Sequence, residues 1–205
     1  NSKGRKIIGW DEILEGGASP TATVMSWRGD VDGIKAANSG NHVIMTPGPY
    51  CYLDYRQGGR EVEPLSMGPC TTLEKIYSFH PVPDAIDSAK QHYVLGAQGN
   101  VWREYIFDTD HIEYMAYPRI LALAELTWTP VEKKDYADFS RRINNACVRL
   151  DGHSINYHIP IPEGPIGDDM EFVDTVTVPF FNTRNYPMYY TLNGKTPTTN
   201  STLYE

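Results

Sequence analysis

The stretch Tyr93-Val94-Leu95-Gly96-Ala97-Gln98-Gly99-Asn100-Val101-Trp102-Arg103-Glu104 decides the fold. An apolar run of strand length passes into Gln-Gly-Asn, then into a tryptophan and a carboxylate two residues apart, shortly before a helix start at Asp110. Similar units stand upstream. Lys6-Ile7-Ile8-Gly9-Trp10 leads into Asp11-Glu12, and Thr23-Val24-Met25-Ser26-Trp27 again ends in tryptophan. His42-Val43-Ile44-Met45 enters a long polar and aromatic loop, from Pro47 to about Pro69, that holds Tyr52 and Asp54. These strands are short, apolar and not alternating, the mark of a parallel sheet buried on both faces.

The segments between them read as loops and helices. Gly16-Gly17 and Pro20 mark a loop. Val31, Ile34, Ala36 and Ala37 have helical spacing, and Gly40 closes that helix. Helical turns are expected at Thr72 to Ile76 and Ala85 to Lys90. Asp110 with Glu113 reads as an N-cap and its reciprocal partner. That helix runs to about Trp128, broken or kinked at Pro118. Asp135 to Leu150 is amphipathic, with Tyr136, Phe139, Ile143, Ala146 and Leu150 on one side.

Each strand therefore ends in residues that carry chemistry: Trp10, Trp27, Tyr52 with Asp54, and Trp102 with Glu104. A (β/α)8 barrel places its site at that end of its strands, as does a doubly wound sheet. The chain has no glycine-rich phosphate loop, which makes a nucleotide fold the weaker option. An indole offers a flat apolar face and a carboxylate accepts hydrogen bonds, a pairing that suits a sugar.

The net charge is −8 and Lys and Arg do not cluster. Nucleic acid and anionic membrane surfaces are thereby disfavoured as partners. No signal peptide or membrane-spanning run is present. Cys51, Cys70 and Cys147 lack metal-ligand spacing, and so do the six histidines, so neither a metal nor a cofactor is indicated. Met25 and Met45 read as core packing, Trp128 as core or interdomain packing, and Arg28 as a partner for a site carboxylate or a solvated arginine. The chain opens on Asn and reaches its first strand almost at once, like the interior of a longer polypeptide.

Beyond about Asp151 the composition changes. Three parts are expected: residues 1–158, a Pro-rich linker over 159–170, and a partial β module over 171–205. In the last part Glu171 to Phe181 and Tyr189 to Leu192 read as strands, with Asn193-Gly194 as a hairpin turn and no closing strand after Thr196. This is the start of a β-sandwich-like module, which typically needs roughly 100 residues.

Taken together, Gly9-Trp10-Asp11-Glu12, Met25-Ser26-Trp27-Arg28-Gly29, Tyr52-Leu53-Asp54, Gly96-Ala97-Gln98 through Trp102-Arg103-Glu104, and Tyr117-Pro118-Arg119 with Ala124-Glu125 resemble the family 20 glycoside hydrolases, the β-N-acetylhexosaminidases. The resemblance covers roughly residues 3 to 155, in the family's order and spacing. It implies a (β/α)8 TIM barrel of which this chain holds the C-terminal half, strands five to eight. A whole barrel takes about 250 residues. The family's acid is the Glu of an Asp-Glu pair after strand four, in a His-x-Gly-Gly-Asp-Glu motif that is absent here. The adjacent Asp11 and Glu12 follow Trp10 rather than paired glycines, and they read as a loop anchor or helix start. The chain is thus expected to be a fragment, inactive alone, of a secreted or periplasmic enzyme.

The resemblance also assigns roles. In this family the substrate's own acetamido oxygen attacks the anomeric carbon. Tyr52 matches the tyrosine that positions that acetamide. Trp10, Trp27 and Trp102 match the aromatic box, and Asp54 and Glu104 match carboxylates that accept from ring hydroxyls. Phe79 lies where many members carry a pocket tryptophan. The implied partners are N-acetylhexosamine-containing glycans, with self-association through an open half barrel. Two other readings stand beside this one. The chain is a non-catalytic sugar-binding or structural fragment, or a different retaining glycosidase that uses Asp54 and Glu104 as its pair.

Overall fold

The computed structural model describes residues 3–165, 171–182, 184 and 186–205. The chain divides into two compact units, Asn1–His158 and Ile159–Glu205.

The first unit is built on a parallel sheet in the order β1-β2-β3-β4, with β1 Ile8–Trp10, β2 Thr23–Ser26, β3 His42–Met45 and β4 Val94–Ala97. Trp10, Met25, Ile44 and Gly96 stand in register across it, with an irregularity between Val43 and Ile44. Val24, Val43 and Met45 are fully buried. The helix α1, Val31–Asn38, crosses that face closely: a methyl on Gly33 would lie 2.6 Å from Met45 Sδ and 3.0 Å from Ser26 Cβ. Gly33 N–H in turn donates to Ser26 Oγ at 2.9 Å. The row of Met25 and Ile44 on the opposite face is only half-buried, and Ile8 in β1 is 62% exposed. The family-scale expectation of an α/β architecture holds.

After β3 the expected loop begins with one helical turn, α2 Gly48–Cys51. The helix α3 covers Leu73–Tyr77, with Thr72 Oγ1 accepting from Lys75 N–H at 3.1 Å. The turn expected at Ala85 to Lys90 forms later, as a 3-10 helix over Ser88–Tyr93. The helix expected from Asp110 to Trp128 is two helices, α4 Thr109–Ala116 and α5 Arg119–Trp128. Pro118 lacks an amide hydrogen and pushes Tyr117 into extended backbone, which separates them. Asp110 is not the cap. Asp108, whose backbone is extended, accepts from His111 N–H at 2.8 Å, and Asp110 lies inside the first turn. Glu113 instead accepts from the backbone of Asn156 at 2.8 Å.

The helix α6, Tyr136–Gly152, is capped by Asp135, which accepts from Asp138 N–H at 3.0 Å. Its buried stripe is Phe139, Ile143, Cys147 and Leu150, with Cys147 in the place expected for Ala146. Trp128, expected in core or interdomain packing, is 89% exposed and so lies outside the core of this unit. It lies about 200° around α5 from buried Leu126, since each residue turns the helix by about 100°.

In the second unit, β5 Tyr189–Tyr190 pairs antiparallel with β6 Thr202–Leu203. The closing strand judged missing is therefore β6, and Asn193-Gly194 turns inside the long connection rather than making a two-residue hairpin. Glu171 to Phe181 is not a strand. Asp174 takes a positive φ of 70° and Thr175 N–H turns back to Val173 O, which interrupts the extended chain. Phe181 alone bridges to Glu163. Part of the expected linker, residues 166–170, lies outside the described residues. None of the three cysteines forms a disulfide; Cys51 and Cys147 are buried and Cys70 is exposed. Among the described residues no helix is long and apolar enough to cross a membrane.

Arg119 is the largest fully buried side chain of the unit. Its guanidinium donates to Thr71 O at 2.8 Å, Leu53 O at 2.5 Å and Met115 O at 2.5 Å. Arg119→Met keeps the volume but strands three buried carbonyls. At ~1–3 kcal/mol for each unsatisfied group, the expected loss is at least about 3 kcal/mol, a fall of roughly 10 °C in Tm. Thermal denaturation followed by circular dichroism checks this.

Candidate active site

The site is assembled from the C-terminal ends of the four parallel strands. After β1, the fully buried Asp11 opens a 3-10 helix over Asp11–Leu14. Its Oδ2 accepts from the backbone amides of Trp27 at 2.8 Å and Arg28 at 3.2 Å, and its Oδ1 from Arg28 Nε at 2.7 Å. Asp11 is thus the loop anchor expected from its setting: it ties the end of β1 to the end of β2. Arg28 also reaches Glu15 at 2.8 Å and Asp32 at 3.5 Å. The hydrogen bond that the guanidinium donates to Glu15, then the one it donates to Asp11 and the charge of Asp11, hold it firmly in its charged form against desolvation.

Asn100 joins β3's loop to β4's. Its amide donates to Cys51 O at 2.8 Å and its carbonyl accepts from Leu53 N–H at 2.7 Å. Its side chain donates to Thr46 Oγ1 and accepts from Gln98 Nε2 at 2.7 Å. Tyr52 is thereby fixed between Trp27 and Trp102, and it stacks on Trp27 at 6.3 Å and 20°. Trp102 lies 6.3 Å from Tyr52 and 5.7 Å from Trp10, and Tyr55 packs on Tyr52 at 5.5 Å. Burial pushes the Tyr52 hydroxyl up from its usual range, so it stays a neutral donor.

Asp54 follows two residues later and is 6% exposed, with Oδ1 buried and without a hydrogen-bond partner. Burial raises its carboxyl from 3.8 to about 6, nearby Glu104 adds to that, and the backbone amides of Asp54 and Trp102 together with Arg119 oppose it. Asp54, Trp102 and exposed Glu104 line one tight gap, too narrow to hold a water molecule, together with Met67 and Met115. The six residues singled out from the sequence therefore form one cluster joined through Trp102, which packs on Trp10 and Tyr52 and shares the gap with Asp54 and Glu104, while Trp27 stacks on Tyr52. A buried acceptor with no partner is rare. It belongs to the residue that lines this gap with Trp102 and Glu104.

Phe79 is not among them. It is buried and stacks on Tyr50 at 5.1 Å. Tyr55, Asn100 and the loop clamp of Arg119 were not distinguished by sequence pattern. Nor was Glu63, whose carboxylate meets His158 at 2.9 Å and accepts from Tyr114 at 3.1 Å, pinning the loop that carries Met67. A more open groove of about 360 Å³ lies beside Val94, Leu95 and Trp128, at the start of β4 rather than its end. Among the described residues no group of His, Cys, Asp and Glu has the arrangement to hold a metal ion.

A parallel α/β sheet whose strand ends converge on indoles, a phenol and two carboxylates has the constitution of a glycoside hydrolase catalytic domain of the TIM-barrel type. The family description "Glycosyl hydrolase family 20, catalytic domain" matches residues 1–131. A β-hexosaminidase of Porphyromonas gingivalis is 54% identical over 204 residues, which is 98% of this chain and 26% of that protein. A β-N-acetylhexosaminidase of Cellulomonas fimi is 32% identical over 76% of this chain and 32% of its own length. The GH20 exo-β-N-acetylglucosaminidase of Vibrio harveyi, solved with N-acetylglucosamine, superposes with a TM-score of 0.71 at 29% identity, over 77% of this chain and 25% of that one. The chain belongs to glycosyl hydrolase family 20, and it spans about a quarter to a third of the length of these relatives.

The raised carboxyl of Asp54 gives a testable sign. The folded chain holds the Asp54 proton more tightly than the unfolded chain, so this group's contribution to stability is full below its unfolded value of about 4 and is lost as pH rises through about 6. Asp54→Asn has no such loss. Chemical denaturation between those pH values should show the parent losing stability relative to the variant as pH rises.

Proposed function

We propose that this chain supplies the glycone pocket of a β-N-acetylhexosaminidase that removes terminal N-acetylhexosamine with retention, assisted by the substrate's acetamide. The observation that carries this is the convergence of Trp10, Trp27, Tyr52 and Trp102 with the unpartnered carboxylate of Asp54 at one end of the sheet. The indoles enclose the acetamide and support the sugar ring. An indole buries roughly 150–250 Å², but a sugar covers part of one face and the net gain is far smaller. The Tyr52 hydroxyl donates to the acetamido oxygen and holds it under the anomeric carbon, a positioning role. Asp54 and Glu104 accept from ring hydroxyls, and a charge-assisted bond of ~1.5–3 kcal/mol selects between epimers.

The sequence contains no His-x-Gly-Gly-Asp-Glu motif. In this proposal the acid that protonates the leaving oxygen, and the aspartate that orients the acetamide N–H, come from outside these residues. The sheet is correspondingly strands five to eight of a (β/α)8 barrel. β1 and β4 are its open edges, and the face carrying Ile8 is the barrel interior. The second unit is the start of an appended β-sandwich-like module. The whole enzyme is secreted or periplasmic and acts on N-acetylhexosamine-containing glycans, and the isolated chain self-associates through its open half barrel.

A second reading is favoured by one observation, the raised carboxyl of Asp54 beside Glu104: Asp54 would be the acid and Glu104 the nucleophile of an ordinary retaining pair. Turnover separates the two. The chain alone should not hydrolyse an aryl N-acetylglucosaminide, whereas turnover abolished by Asp54→Asn would establish the second reading. In the full-length enzyme Tyr52→Phe should lower kcat by about 10²-fold or more with little change in KM, because the loss is of transition-state positioning. An unchanged kcat would remove Tyr52 from the mechanism.

A further inference from the structure

Three acids lie within five residues after β1, and they divide two tasks. Asp11 and Glu15 both pair with Arg28, at 2.7 and 2.8 Å. Glu12, between them, accepts the Trp27 indole N–H instead, with Oε1 at 3.0 Å and Oε2 at 3.2 Å. The Trp27 backbone is already fixed by Asp11, so what remains free is the rotation of the ring. That ring is half-buried and lies nearly parallel to Tyr52, so a change in its tilt would reach the tyrosine.

The Glu12 side chain is well placed to control that tilt. Its backbone is locked in the 3-10 helix Asp11–Leu14, where Glu15 N–H donates to Glu12 O at 3.0 Å. An indole has one N–H, and it is used here on a charged acceptor rather than on water. A carboxylate at the N–H also enriches the π face of the ring, which strengthens its attraction for the C–H groups of a sugar.

We propose that Glu12 is a positioning residue for sugar binding: through the indole N–H it sets the plane and the electron density of the Trp27 wall. This rests on the pocket assignment given under Proposed function. Residues Trp10, Asp11 and Glu12 then act as one unit, contributing in turn an aromatic wall, the backbone anchor of the next strand end, and the orientation of that strand's tryptophan.

The test uses the full-length protein that carries this chain, with N-acetylglucosamine as the probe. Glu12→Ala should weaken its binding by about fivefold, the scale of one partly solvated charge-assisted bond. Its near-UV circular dichroism should change, reporting a reoriented indole, while the far-UV spectrum stays the same. Glu12→Gln keeps an acceptor without the charge and should restore most of the spectrum and part of the affinity. In a Trp27→Phe background, Glu12→Ala should have no further effect. Unchanged affinity in Glu12→Ala, or the same loss with Trp27 removed, would overturn the role of Glu12 alone. An unmutated protein that binds no N-acetylglucosamine would overturn the pocket itself.

Discussion

A single guanidinium, sealed from water, holds the loops of this site in place. Arg119 sits at the start of α5 and bonds backbone carbonyls from three separate segments. One of them, Leu53 O, lies between Tyr52 and Asp54. Burial pushes the arginine down to about 10, while Glu63 and Asp54 pull it back up, so it remains charged at neutral pH. Loops after parallel strands have no sheet partners for their carbonyls, and a rigid fork of five donors supplies them at one point. The two residues that flank Leu53 inherit their positions from that clamp.

Asp11 solves the same problem with the opposite sign. A fully buried carboxylate collects two backbone amides and one guanidinium at the ends of β1 and β2. A lone buried charge would be strongly unfavourable, and three charge-assisted bonds compensate it. The consequence is specific. Anion and cation are both directed at backbone, so the aromatic side chains are left free to face the pocket. Among the described carboxylates only Asp54 has a buried oxygen lacking any partner, and it lines the gap shared with Trp102 and Glu104.

The four strands could be read from sequence almost to the residue, because short apolar runs between turn signals leave little choice of register. The six candidate site residues were legible for a related reason: each lies at the C-terminal end of a strand or in the loop that follows it, the end at which parallel α/β sheets place their sites. What stayed hidden depended on partners distant in the chain. Nothing near Arg119 announces that it will bond residues 48 and 66 positions away. The Glu63–His158 pair is likewise invisible to local spacing. The Asp110 cap failed because a competing aspartate stood two residues earlier in extended backbone. The strand expected over Glu171 to Phe181 failed because β-pattern alone does not supply a neighbour to pair with. Trp128 stays out of the core because a large apolar side chain need not be buried when its helix turns it outward.

The function proposed above places grip and chemistry in different parts of the polypeptide. In that proposal the strand ends β1 to β4 carry the walls and the hydroxyl acceptors, and the proton donor comes from outside these residues. The measurement that tests this most directly is the structure of the full-length protein with N-acetylglucosamine bound. The acetamide should lie between Trp10, Trp27 and Tyr52, the ring against Trp102, and a sugar hydroxyl within hydrogen-bond distance of Asp54 Oδ1. A sugar bound away from this cluster, or one with no hydroxyl reaching Asp54, would contradict the account.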